Sequence, residues 1–161
     1  MRSSLIALAL LVLASAAWGA GTGAVQAPAP APKAAGGKPT VTAAMRYNEG
    51  EAFAQGQQWT YAEAAYLEAT KLKADFPEAW NGLGHARKME RKFPEALTAY
   101  QEALRLRPGF PQALEYLGET YVAMGKMDDA RATLATLQPL DADLAQRLSQ
   151  AIAGKGAAGT W

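Results

Sequence analysis

The chain has 161 residues, 16 basic against 15 acidic, a single histidine and no cysteine. That length fits one domain, and a half-hydrophobic composition suffices for a packed core. The missing cysteines exclude a disulfide framework, a thiolate metal site and a lipoprotein anchor, and the near-balance of charge argues against nucleic-acid binding, which concentrates basic residues.

The N-terminus reads as a secretory signal peptide over residues 1–19. Arg2 precedes an uncharged run from Leu5 to Ala17, and small residues, Ala17 and Gly19, flank Trp18. The run is shorter than the roughly 20 residues of a membrane span, so we expect a periplasmic or secreted protein. The alternative is a membrane anchor through residues 5–17. Residues 20–42 are rich in Ala, Pro and Gly. Pro28, Pro30 and Pro32 alternate with alanine, which favours an extended, disordered linker. Gly37-Lys38-Pro39-Thr40 is not a phosphate loop, because Pro32 replaces its first glycine and Pro39 its magnesium-binding hydroxyl.

From residue 43 the chain repeats itself with an offset of 34. Phe76-Pro77-Glu78-Ala79-Trp80 aligns with Phe110-Pro111-Gln112-Ala113-Leu114, Leu83-Gly84 with Leu117-Gly118, and Ala96 with both Ala62 and Ala130. Backwards, the offset joins Gly84 to Gly50, Phe93 to Trp59, Tyr100 to Tyr66 and Ala103 to Ala69. Three units follow, 43–76, 77–110 and 111–144. In the second, Trp80, Leu83 and Ala86 share one helical face, and Phe93, Ala96, Leu97, Tyr100, Ala103 and Leu104 another. Arg91-Lys92 breaks the pair, Pro108-Gly109 stops the second helix and Pro111 starts the next. After unit three, Pro139 should end a helix early. Asp141 and Asp143 then favour a further helix over 141–153, whose stripe of Leu144, Leu148, Ala151 and Ile152 suits a cap, with Asp143, Gln146, Arg147 and Gln150 facing water. Residues 154–161, with Trp161, read as a flexible tail.

This period and its residue types resemble the tetratricopeptide repeat (TPR) family over residues 43 to about 144. Unit two carries the pattern best, with Trp80, Leu83, Gly84, Phe93, Ala96, Tyr100, Ala103 and Pro108. In unit one Arg46 and Glu49 replace the first two apolar positions. The resemblance implies an all-α, right-handed solenoid of three helix-turn-helix repeats plus a C-terminal capping helix. It also implies a concave groove lined by the first helix of each unit. Mapped here, that face carries Tyr47, Asn48, Glu51 and Gln55, then Asn81, His85, Lys88 and Met89, then Gln112, Glu115, Tyr116 and Glu119. Asn81 can hydrogen-bond a peptide backbone, while Tyr47 and Tyr116 are amphipathic anchors. The best-known groove of such proteins is a basic clamp for a C-terminal carboxylate. Here Lys88 is the only base mapped, against Glu51, Glu115 and Glu119, so a neutral or basic peptide partner is expected.

Little points to catalysis. Ser149 and His85 are the only serine and histidine after the signal segment, and no oxyanion loop accompanies them. Glu115 with Glu119, and Asp128 with Asp129, read as solvated helix charges. His85 reads as a polar groove residue; as a carboxylate ligand it would make affinity vary between about pH 5 and 8. The expectation is a non-enzymatic adaptor or assembly factor of the bacterial cell envelope, with no cofactor, metal or nucleic acid, that binds a protein or peptide. The alternatives are a membrane-tethered, self-assembling scaffold and a cell-wall or carbohydrate binder stacking sugars on Tyr47, Trp59 and Tyr116.

Overall fold

The computed structural model describes residues 40–154. The expected signal peptide, nearly all of the linker and the tail with Trp161 lie outside the described residues. Seven helices follow in order: α1 (Ala43–Gln55), α2 (Trp59–Leu72), α3 (Pro77–Met89), α4 (Phe93–Leu106), α5 (Pro111–Ala123), α6 (Met127–Leu137) and α7 (Ala142–Ala153). Each packs on the next, and α1 touches α3 as α3 touches α5. The first helices of the three hairpins therefore form one layer of a helical-repeat solenoid, and α7 closes the last pair by packing on both α5 and α6.

The same backbone device turns each hairpin. Lys92 N–H donates to Arg87 O at 2.9 Å and Arg91 N–H to Lys88 O at 2.9 Å. This double bond pattern, a Schellman motif, needs a left-handed residue after the helix. Arg91 supplies it with φ 63°, Gln57 with φ 56° in unit one and Gly125 with φ 75° in unit three. Between units the chain restarts differently: Pro77 and Pro111 open α3 and α5 at the first turn, where a missing N–H costs nothing. Helix α6 has 11 residues against 14 in α2 and α4, with Pro139 just beyond it.

Small residues at one repeat position let large ones cross between helices. A Cβ on Gly50 would lie 2.7 Å from the Tyr66 ring, and one on Gly84 2.6 Å from the Tyr100 ring. The close approach at Gly84 is thus made by Tyr100. In unit three Leu134 replaces the tyrosine, and α7 supplies the filler instead: a Cβ on Gly118 would meet Leu148 at 2.4 Å. Leu148 is fully buried with Leu144, Ala145 and Leu137. Asp141 caps α7 by accepting from Leu144 N–H at 2.9 Å.

Candidate functional site

A groove of about 630 Å³ opens on the layer of first helices. Seven of the residues mapped to this face line it: Tyr47, Glu51 and Gln55 from α1, Asn81 and His85 from α3, and Gln112 and Tyr116 from α5. The other five are placed elsewhere. Asn48 is exposed on the outer side of α1, because its repeat equivalents, Gly82 and Tyr116, pack towards a preceding unit, and none stands before α1 among the described residues. Lys88 is buried, its Nζ 2.5 Å from Glu119, and with Met89 and Glu119 it edges a separate notch of about 70 Å³ beside Phe93. Glu115 is 4% exposed and pairs with Arg147 of α7 at 2.8 Å. The reading of Glu115 and Glu119 as solvated charges is therefore corrected: the cap helix and Lys88 enclose them in ion pairs.

The groove also holds residues that mapping first-helix faces omitted. Trp59 and Tyr66 enter from α2, Arg107 from the C-cap of α4 and Phe110 from the N-cap of α5. Trp59 sets its ring edge-on to His85 at 5.3 Å. His85 stacks on Tyr116 at 4.6 Å, nearly parallel. Enclosed between two rings, His85 has its pKa pushed down to about 4, by burial first and by Lys88 second. Burial thus favours the neutral ring in the unliganded groove, against the direction in which a bound carboxylate would shift it.

Charge is distributed unevenly along the groove. Arg107 pairs with Glu78 and lies 4.6 Å from the Phe110 ring. Tyr66 donates its hydroxyl to Glu51 at 2.5 Å. Tyr47 lies 5.8 Å from Tyr66, and its pKa is pushed up to about 12 by burial and then by Glu51. The buried Oδ1 of Asn81 has no hydrogen-bond partner among the described residues. The mapping therefore named the wrong base: Arg107, not Lys88, is the cation at the groove, and its charge is met by Glu78.

Among the described residues no group of acidic and histidine side chains could hold a metal, and no helix is long and apolar enough to cross a membrane.

Comparison with known proteins agrees with this architecture. Residues 89–153 match the tetratricopeptide repeat family. The TPR domain of Arabidopsis OM64 superposes with a TM-score of 0.66 at 18% identity, over 70% of this chain and 94% of that one. The TPR2B domain of yeast Sti1, in complex with pHsp70, gives 0.66 at 22% identity, over 71% and 96%. The first TPR of Spaghetti (RPAP3), bound to the HSP90 peptide SRMEEVD, gives 0.66 at 17% identity, over 73% and 94%. At these identities the likeness is one of fold. No curated protein matches the chain. This is a helical-repeat protein with the fold of tetratricopeptide repeat domains, and its residues 89–153 match that repeat family.

Proposed function

We propose that this chain is a protein-interaction module whose groove receives a segment of a partner protein. One observation carries the reading: an open, aromatic and polar groove collects side chains from the first helices of all three hairpins. Aromatic rings there offer large contact area at low entropic cost, and an unpartnered amide oxygen on Asn81 suits a peptide N–H. Fold relatives seen with peptides, including one holding SRMEEVD, support the mode of binding. The acidity of that peptide does not carry over. Glu78 already engages Arg107, while Glu51 pairs with no cation among the described residues, so a neutral or basic segment fits this groove. We assign the protein a binding role rather than a catalytic one, as an adaptor or assembly factor exported to the cell envelope. The export part rests on the signal-like residues 1–19.

Two measurements test this. The full chain and a Gln55→Ala, Asn81→Ala, Gln112→Ala variant are used in parallel as baits against native envelope extract, with helical circular dichroism confirmed equal. A protein captured only by the parent places its partner in the groove. The same proteins on both move the interface elsewhere. N-terminal sequencing from the native cell should begin near Ala20; a start at Met1 would replace export with tethering. The position of Trp59 in the groove favours one second reading, sugar stacking beside Tyr116. Tight binding to protein-free cell wall would establish it.

A further inference from the structure

The geometry points to a cation-accepting subsite at Glu51, beside Tyr47 and the Tyr66 hydroxyl, which takes the side chain of a lysine or arginine from the bound segment. The inference rests on the peptide-binding reading above and adds the chemistry of its anchor.

The fold itself shows what this kind of site holds. Arg107 lies over the Phe110 ring at 4.6 Å and pairs with Glu78. Lys88 lies 5.0 Å from the Tyr116 ring and pairs with Glu119. Each is a carboxylate, a cation and an aromatic face in contact, an arrangement in which ring quadrupole and carboxylate attract the same charge. At Glu51 the carboxylate and neighbouring tyrosines are present and the cation is missing. The carboxylate accepts the Tyr66 hydroxyl at 2.5 Å, and Tyr47 stands 5.8 Å from Tyr66. No cation pairs with Glu51 among the described residues. Lys73 lies over the Phe76 ring at 5.4 Å. Unlike the Lys88 pair, this set faces the groove, and Asn81 there adds a buried acceptor without a donor. Glu51, Glu78 and Arg107 together leave one uncompensated negative charge on the groove. A hydroxyl bond solvates a carboxylate only in part, so a partner cation gains the remaining Coulomb term.

The test titrates the full, isotope-labelled chain with methylguanidinium chloride and with n-butylammonium chloride, at constant ionic strength, by NMR. n-Butanol and sodium acetate are the controls. We expect saturable shifts at the Glu51 amide and the Tyr47 and Tyr66 rings with the two cations alone. Glu51→Gln keeps an oxygen for Tyr66 and should weaken binding about tenfold, and Tyr47→Leu, which removes a ring, about threefold. No saturable shift, equal shifts with butanol, or unchanged affinity in E51Q would each overturn the subsite. Groove-dependent capture could still succeed in that case, leaving peptide binding intact. Cation binding without groove-dependent capture would instead keep the subsite and remove the peptide role.

Discussion

His85 shows how a single side chain couples the groove to stability. The unfolded chain takes up a proton near the ordinary value of 6.5, whereas the folded chain, with the ring buried, does so only near 4. The folded state is thus at full strength above pH 6.5 and loses stability as pH falls towards 4, by about 3 kcal/mol over the window. Glu63 acts in a different range. Burial opposes its charge, but hydrogen bonds from Lys92 and Arg87 outweigh this and hold its pKa at about 2, so its contribution is lost only below 4.5. Urea denaturation at pH 7 and pH 4.5 should show most of the His85 loss in the parent and little in His85→Gln; equal losses in both would refute the assignment. Backbone positions are equally specific. Gly84→Ala forces a Cβ against the fully buried Tyr100. Overpacking of about 1–3 kcal/mol opposes the gain in helix propensity of about 1 kcal/mol, leaving a net loss of up to about 2 kcal/mol by chemical denaturation. Gly109→Ala, which meets nothing within 4 Å, is the neutral control. At Gln57, held at φ 56°, glycine relieves a left-handed strain, and Gln57→Gly should raise stability by up to about 1 kcal/mol in the same assay.

Among the elements, α7 is the one that departs from the repeat, and its cost can be stated. Leu148 fills over Gly118 the space that tyrosines fill in the first two hairpins. Its truncation to alanine in a fully buried site should cost roughly 3 kcal/mol, read as a lower urea midpoint at unchanged slope. A loss under about 1 kcal/mol would mean that α7 is not part of the cooperative fold. The capping stripe of Leu144 and Leu148 was visible in the sequence because it obeys helical spacing. So were the hairpins, through the 34-residue offset and the glycines at 50, 84 and 118. The groove was legible only in part, for a geometric reason. Marking one face of α1, α3 and α5 treats helices as isolated rods, but Trp59, Tyr66 and Arg107 reach the groove from second helices and a turn. Nor could spacing show that Arg147 on α7 would pair with Glu115 and take it out of solvent. The left-handed turn was explicit only at Gly125; Gln57 and Arg91 adopt it under tertiary constraint, with no residue preference to announce it.

At the scale of the whole stack, the two ends are unequal. A repeat array derives its stability from each unit plus its interface with neighbours. The C-terminal end is covered by α7, whereas α1 has nothing packed on its outer side among the described residues. Gly50 is its single buried residue, against six in α3 and seven in α5, and Met45 is 51% exposed. Local opening should therefore begin at α1, which lacks one of the two interfaces that α3 has. Hydrogen exchange followed by mass spectrometry should find amides of α1 exchanging at least about tenfold faster than those of α3, with α5 close to α3 because α7 shields it. The consequence reaches function, since Tyr47 and Glu51 stand on α1: a ligand anchored there must stabilise the frayed end, and saturating methylguanidinium should slow exchange in α1 more than in α5. Uniform protection across α1, α3 and α5 would show instead that the stack opens only as a whole, and the cation would then slow all three alike.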